Sequence, residues 1–318
     1  MKCRICGNEK GNEVFEAQEM MFGFRDRFTY FQCAACHCLQ IATIPADMSK
    51  YYPAHYNGFA SPKISYFKGW NGAIRKKRFA AELFSQGAVD KAITALFPAP
   101  QYRLLGSVPL NWDSRILDVG CGEGSFLYPL YEMGMKNVQG VDPFISSPIV
   151  YPNGYRVQKS FIHQMDGTWD VIIFNHSFEH VPDPLDNLLA VERLLAPAGT
   201  CIIRVPTVSS FAWQHYRTNW FQLDAPRHFF LHSVESIRLL ANQAGLKLEE
   251  VVYDSTAAQF IESEKYLEGI PLEQKKPRTL ANFFRRKRDK WVYGNRAKAL
   301  NKAQQGDQAA FFLRKKRG

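Results

Sequence analysis

The segment Ile116-Leu117-Asp118-Val119-Gly120-Cys121-Gly122-Glu123-Gly124-Ser125-Phe126 constrains the fold more than any other part of the chain. An apolar run stops on an acid and three alternating glycines, then resumes at helical spacing. That is the pattern of a buried parallel strand turning into a helix around a ligand. Glycines let the backbone come close to the ligand, and a helix start offers it N–H groups. The spacing is G-x-G-x-G with an acid two residues before the first glycine, unlike the G-x-G-x-x-G of dinucleotide sites. No Gly-Lys-Ser/Thr follows to make a phosphate-cradling loop. About twenty residues on, Val138-Gln139-Gly140-Val141-Asp142-Pro143 reads as a second short strand ending in an acid, placed to grip a ribose with two free hydroxyls.

Two later segments continue the pattern: Trp169-Asp170-Val171-Ile172-Ile173-Phe174-Asn175-His176-Ser177-Phe178-Glu179-His180-Val181-Pro182-Asp183-Pro184, and Gly199-Thr200-Cys201-Ile202-Ile203-Arg204-Val205-Pro206. In this order the chain resembles a class I S-adenosylmethionine-dependent methyltransferase, with the former as strand four and its "EHV-x-DP" loop and the latter as strand five. The resemblance implies an α/β fold with a doubly wound, seven-stranded Rossmann-like methyltransferase sheet. Residues 234–245 are expected as a helix ending at Gly245, Leu246–Tyr253 as strand six and Ala309–Leu313 as strand seven. It also implies S-adenosylmethionine as cofactor. Gly120, Gly122 and Gly124 then shape the loop around its methionine moiety, Asp118 anchors that loop, and Asp142 holds the ribose hydroxyls. Pro143 packs on adenine, Ser160 and Phe161 reach its amino edge, and Asn175 binds the methionine end. Ser160 stands where the family often has an acid.

The length of 318 residues suits one α/β domain plus a smaller module. With no charged-then-apolar leader and no apolar stretch of about 18 residues, the expected location is the cytoplasm. Five of the seven cysteines, Cys3, Cys6, Cys33, Cys36 and Cys38, cluster near the N-terminus. Cys3-x2-Cys6 and Cys33-x2-Cys36 are two knuckles able to present four thiolates tetrahedrally to a structural Zn2+. Gly7 suits the tight turn after the first knuckle, His37 stands where many knuckles carry glycine, and Cys38 is a spare thiol. Disulfides are disfavoured without a secretion signal. The expected organisation is a zinc-ribbon-like module at 1–60, a helical cap at 61–112, and a methyltransferase domain at 113–318 with a basic insertion at about 262–307. Aromatic Tyr51, Tyr52, His55 and Tyr56 edge the first module, and Ile74, Phe79, Leu83, Ile93, Leu96 and Phe97 recur at helical spacing in the second.

From Lys275 onward there are fifteen basic and two acidic residues, so the rest of the chain carries a net charge of −3 within a total of +10. The high pI belongs to the C-terminal region alone. One reading is a lid helix with solvated charges outside. A second is peripheral contact with an anionic membrane at its inner face, through Leu280, Phe283, Phe284, Trp291 and Val292 amid Arg285, Arg286, Lys287, Arg288 and Lys290. RNA comes third. Asn175 is followed by His176-Ser177-Phe178 rather than Pro-Pro-aromatic, the mark of base N-methylation, and there is no Pro-Cys nucleophile for carbon-5 chemistry.

Methyl transfer from a sulfonium is an in-line displacement that needs proximity, a dry pocket and, for a hydroxyl or acidic carbon, removal of a proton. The displacement itself requires no metal. Candidate bases are His176 and His180 after strand four, and His228 within Trp220-Phe221-Gln222-Leu223-Asp224-Ala225-Pro226-Arg227-His228-Phe229-Phe230-Leu231-His232-Ser233. The "LDxPRH" element, the double knuckle and Glu268-Gly269-Ile270-Pro271-Leu272 resemble a bacterial subgroup associated with polysaccharide and lipid-linked glycan assembly. Sugar C-methyltransferases share the zinc module and the His-Phe-Phe element, whose histidine is taken as a base. This chain lacks their large extra C-terminal domain and has Arg227 where they carry an acid, which favours O-methylation. The expected base is His228, with His180 second. Asp224 would orient the imidazole and Arg227 would grip an acidic acceptor group, or the two would pair to fix the loop. The expected function is O-methylation of a sugar or lipid-linked glycan hydroxyl, with RNA methylation and a cofactor-binding partner without activity as alternatives.

Overall fold

The computed structural model describes residues 1–53, 61–84, 87–274 and 280–316, and the side chains of 280–284 are left out. His55, Tyr56, Lys275, Lys276, Arg278 and Arg317, and the side chains of Leu280, Phe283 and Phe284, therefore lie outside the described residues. The described strands are β1 (Glu13–Gln18), β2 (Arg27–Gln32), β3 (Leu39–Ile41), β4 (Ile116–Val119), β5 (Val138–Val141), β6 (Ile149–Val150), β7 (Arg156–Gln158), β8 (Trp169–Asn175), β9 (Leu195–Pro206), β10 (Phe230–Leu231), β11 (Leu246–Tyr253) and β12 (Gln308–Lys315).

They form a small sheet in the order β1-β2-β3-β10 and a large one in the order β11-β12-β9-β8-β4-β5-β7-β6. In the large sheet β4 runs parallel to β5 and β8, and β5 parallel to β7, while the pairs β11–β12 and β6–β7 are antiparallel. This is the doubly wound, Rossmann-like methyltransferase sheet. The seven expected strands are β4, β5, β7, β8, β9, β11 and β12, and two-residue β6 adds an eighth. It turns back onto β7 through Gly154, whose φ of 95° suits a residue without Cβ. All four residues of β4 are buried, as a strand covered on both faces requires.

The chain divides into two compact units that cut across the sequence: Met1–Ala54, His176–Leu188 and Ile203–Lys316 in the first; His55–Asn175, Leu189–Ile202 and Arg317–Gly318 in the second. In the second unit the glycine loop follows β4. Residues 123–127 are turns, so the helix begins at Tyr128 rather than directly after the glycines. Helices Gly69–Phe84 and Ala88–Leu96 also belong here. Of the positions that marked them, Phe79 and Leu83 are buried, with Phe79 edge-on to Tyr102 at 5.0 Å, whereas Ile74, Leu96 and Phe97 are exposed. Spacing identifies a helix without saying which face is covered.

In the first unit, β10 closes the small sheet by pairing antiparallel with β3, so residues some two hundred positions apart share it. Helix Val234–Gln243 follows, with the Ser233 Oγ accepting the Ser236 N–H and the Ser236 Oγ accepting the Ser233 N–H, both at 2.9 Å. Strands β11 and β12 pair directly across the basic insertion, which holds helices Ala258–Leu267 and Leu280–Lys302. Phe260 stacks on Tyr293 at 5.0 Å, and Arg296 lies over Phe211 and Phe260. Arg285–Arg288, Trp291 and Val292 are exposed. No helix among the described residues is long and apolar enough to cross a membrane.

The glycine requirement is sharpest at Gly124. Its φ is 81°, and a Cβ there would lie 2.6 Å from Val157 Cγ2 and 2.7 Å from Tyr155 Cε1. Strain of this kind costs about 1–3 kcal/mol per residue, and overpacking adds to it. Gly124→Ala is expected to lower the thermal unfolding midpoint by several degrees, whereas Gly134→Ala, which meets nothing within 4 Å, pays only the backbone cost. Equal midpoints for the two variants in a melting experiment would contradict this account.

Candidate functional site

Three constellations carry the residues singled out in the sequence. The first, in the first unit, joins the two cysteine knuckles. Cys3 and Cys36 have their sulfurs 3.6 Å apart, Cys6 and Cys33 theirs 3.5 Å apart, and all four sulfurs lie within 4.8 Å of one another. A tetrahedral zinc with Zn–S of about 2.3 Å needs edges of about 3.8 Å, so the donor set fits such an ion. The sulfurs also receive N–H donors suited to thiolates: Gln40 Nε2 to Cys3 at 3.1 Å, Ile5 N to Cys3 at 3.4 Å and Cys36 N to Cys33 at 3.5 Å. Gly7 and His37 take φ of 74° and 59° in equivalent turns, so His37 adopts the glycine-like conformation. Cys38 stands outside the set, its thiol directed at the carbonyls of Leu39 and Leu231.

The second constellation lies in the second unit, at the carboxyl ends of β4 and β5. Gly120, Gly122 and Gly124 have φ of 70°, 54° and 81°, and the Gly120 N–H donates to the Val141 carbonyl at 2.8 Å. Asp142 is buried. Its Oδ2 accepts the Gly122 N–H at 2.9 Å and its Oδ1 the Phe144 N–H at 2.8 Å, which ties the glycine loop to the end of β5. Asp118 lies beneath, its carboxyl pushed up to about 8 by burial and then by Asp142. Pro143 is half-buried beside Asp142, and Ser160 donates from Oγ to Gln164 Oε1 at 3.1 Å next to an exposed Phe161. Asn175 ends β8 half-buried. A backbone cradle of left-handed glycines with a buried carboxylate at its rim has the shape and chemistry that a nucleoside cofactor requires.

The third constellation, in the first unit, gathers His176, Glu179, His180, Asp224, Arg227 and His228. A short turn after β8 places Glu179 with no exposed surface. The His228 Nδ1 lies 2.8 Å from the Gln222 carbonyl and the His180 Nδ1 2.8 Å from the Arg227 carbonyl. A carbonyl only accepts, so in each neutral ring the proton sits on Nδ1 and the lone pair on Nε2. The two rings meet edge-to-face at 4.8 Å. The His228 Nε2 is 3.9 Å from Glu179 Oε1 and 3.8 Å from Asp224 Oδ2, and the His176 Nδ1 is 3.5 Å from Glu179 Oε1. Burial raises the Glu179 carboxyl, but His176 first and then His180 and His228 outweigh it and bring it to about 2. Burial, then His180, lowers His228 to about 4 and leaves it neutral near pH 7.

Asp224 and Arg227 pair with each other. The Arg227 Nε donates to Asp224 Oδ2 at 2.9 Å, Nη2 to Glu19 Oε1 at 3.0 Å and Nη1 to the Tyr51 carbonyl at 3.2 Å. A guanidinium with no exposed surface and these partners braces the loop rather than holding an acceptor. Asp224 has its carboxyl lowered, Arg227 outweighing burial, and it is the Gln222 carbonyl that fixes the His228 tautomer. Glu179, Glu19 and Gln222 carry roles that spacing does not assign: Glu179 stands beside His180 in the EHV-x-DP loop, and Glu19 and Gln222 act through contacts made only in the fold.

A family model described as a methyltransferase domain matches residues 77–251. The chain is 29% identical over 183 residues to the ubiquinone biosynthesis O-methyltransferase of Maricaulis maris, covering 51% of this chain and 72% of that protein. It is 26% identical over 143 residues to the tRNA U34 carboxymethyltransferase of Pseudomonas fluorescens, covering 41% of this chain and 45%, less than half, of that protein. Among solved structures, an S-adenosylmethionine-dependent methyltransferase from Thermotoga maritima aligns with a TM-score of 0.40 at 19% identity, over 77% of this chain and 92% of that one.

Breaking a buried ion pair by removing one partner costs about 3–5 kcal/mol, because the remaining charge stays buried. Arg227→Ala is therefore expected to destabilise the chain by an amount in that range in denaturant unfolding, and Arg227→Lys by less. A surface-like loss below about 1 kcal/mol for Arg227→Ala would contradict the bracing role.

Proposed function

The chain belongs to the class I S-adenosylmethionine-dependent methyltransferases, and on that premise we propose that it transfers the methyl group of S-adenosylmethionine to a hydroxyl of a sugar or lipid-linked glycan. The observation that carries the hydroxyl reading is the buried histidine–carboxylate cluster. A hydroxyl acceptor has to lose its proton, and the neutral His228 presents an Nε2 lone pair for it beside the ionised Glu179. The similarity to an O-methyltransferase supports the same chemistry. The sugar class rests on the "LDxPRH" element and the N-terminal knuckles described above.

In this reading Gly120, Gly122 and Gly124 hold the methionine moiety, with Asp118 behind them. Asp142 takes the ribose hydroxyls, Pro143, Ser160 and Phe161 border the adenine, and Asn175 meets the methionine end. The bound cofactor supplies the methyl group on a sulfonium leaving group. The protein orients it, excludes water and removes the acceptor's proton at the cluster, with His228 the first candidate and His180 the second. Asp224 and Arg227 position His228 through the loop. Cys3, Cys6, Cys33 and Cys36 hold a structural Zn2+. A lipid-linked acceptor goes with work in the cytoplasm against the inner face of a membrane, with the basic helix Leu280–Lys302 as the contact.

RNA methylation is the second reading, favoured by the similarity to a tRNA-modifying enzyme together with the exposed Arg285–Arg288 run. Transfer of a tritiated methyl group into extract separated into RNA, lipid-linked and soluble sugar pools tests both. Label in the glycan pools is expected, surviving ribonuclease, and label confined to RNA would overturn the sugar reading. Asp142→Ala is expected to weaken S-adenosylmethionine binding at least about tenfold by calorimetry, the loss of a good hydrogen-bonding pair. His228→Ala is expected to keep cofactor binding and lose about two to four orders of magnitude in turnover. Full turnover in His228→Ala would remove it as the proton acceptor.

A further inference from the structure

The carboxylate of Glu179 is the anomaly of the first unit. It has no exposed surface, and among the described residues neither oxygen has a hydrogen-bond partner of good geometry, His176 Nδ1 standing 3.5 Å from Oε1. The other acids nearby, buried Glu19 and half-buried Asp224, are compensated. Glu19 accepts the N–H groups of Met21, Phe22, Gly23 and Phe24 at 2.9–3.1 Å as well as Arg227, and Asp224 has Arg227 across it. Around Glu179 no lysine or arginine stands within ion-pair distance among the described residues, only imidazoles. A buried carboxylate in that position calls for a cation.

We propose that Glu179, His180 and His228 form a binding site for a divalent first-row transition-metal ion, separate from the cysteine cluster. One oxygen of Glu179 and one ring nitrogen of each histidine lie within 4.8 Å of one another. Bonds of about 2.0–2.1 Å to a tetrahedral ion need edges of about 3.4 Å, a closure within reach of small side-chain rotations. Both histidines already have the support that metal-binding imidazoles show: each donates its Nδ1–H to a backbone carbonyl, His228 to Gln222 and His180 to Arg227, which leaves Nε2 as the basic nitrogen. Two imidazoles and one carboxylate suit zinc, manganese, iron(II) or cobalt(II) better than calcium or magnesium. His180 is only half-buried, so the cluster is not sealed from solvent.

The proposal rests on the hydroxyl-acceptor reading and specifies how the cluster activates that acceptor. A metal ion lowers the pKa of a bound water from 15.7 to about 7, and an acceptor hydroxyl is acidified in the same way. The O–H bond then breaks with its proton passing to solvent. The oxygen forms the new bond to the methyl carbon, and the sulfur of the cofactor keeps the electron pair of the broken C–S bond. With the ion bound, His228 and His180 act on the acceptor through it, and direct proton acceptance by His228 is the route of the metal-free cluster.

Titration of Co2+ into the full chain tests the site. Cobalt held by nitrogen and oxygen gives weak visible bands, whereas cobalt at the cysteines adds a near-ultraviolet thiolate charge-transfer band, so the two sites are told apart in one protein. One equivalent of the nitrogen–oxygen type is expected per chain, and Glu179→Gln should weaken it at least about tenfold while leaving the thiolate band unchanged. His180→Asn, at a half-buried position, should do the same and carries the test if Glu179→Gln does not fold. Absence of the nitrogen–oxygen bands, or unaltered binding in the folded variants, overturns the proposal. If those bands are absent and His228→Ala still abolishes transfer, the metal is rejected and direct proton acceptance stands. If the bands appear and no hydroxyl acceptor is methylated, the site stands and the proposed function fails.

Discussion

The first unit is organised around one buried guanidinium. Removing Arg227 from water costs several kcal/mol, and the structure offsets it with two carboxylates and a carbonyl drawn from three separate stretches of chain, at Asp224, Glu19 and Tyr51. Glu19 is in turn fixed by four backbone N–H groups of the turn that follows it. Once this pairing is made, the loop before His228 and the N-terminal strands have one arrangement, and other contacts reinforce it. The Tyr30 hydroxyl donates to the His228 carbonyl at 2.9 Å, and the Ser233 hydroxyl donates to the carbonyl of Cys36 in the second knuckle. The cysteine module is thus hydrogen-bonded to the stretch that carries His228.

Charge is distributed unevenly within that framework. Asp224 and Glu19 share the single positive charge of Arg227, while Glu179 is left among histidines. Because the His228 and His180 rings each give Nδ1–H to a carbonyl, their basic nitrogens are defined by the backbone and not by a carboxylate. Gln222 provides one of those carbonyls, and its own side chain is held by Asp307 Oδ2 at 2.7 Å, the same atom that accepts the Trp220 indole at 3.0 Å. A buried acid just before β12, Asp307, therefore holds the residue whose carbonyl sets the His228 tautomer.

The strands of the large sheet were legible because a parallel strand buried on both faces must be apolar along its whole length, and its end must turn on glycine where a ligand approaches. That logic marks Ile116–Val119, Val138–Val141 and Trp169–Asn175, and the acids Asp118 and Asp142 beside them. It does not mark β6, two residues long, or the last strand pairing of the small sheet. Phe230–Leu231 reads as a fragment of an aromatic loop until β3 is there to pair with it. Spacing at Ile74, Leu96 and Phe97 likewise identifies helices whose faces turn out exposed.

By itself the sequence determined the strands of the doubly wound sheet, the glycine loop with its two acids, and the two cysteine knuckles, because each of these depends on residues near one another in the chain and on backbone geometry that only certain residue types allow. It also named the histidines at 176, 180 and 228. Only the tertiary structure decided what those histidines face. Arg227 became internal because Glu19 and Tyr51 come to it from 208 and 176 residues away, and Glu179 became a buried carboxylate with no lysine or arginine within ion-pair distance among the described residues. Solvation and pairing of charge are properties of the assembled surroundings, which no local pattern of residues encodes.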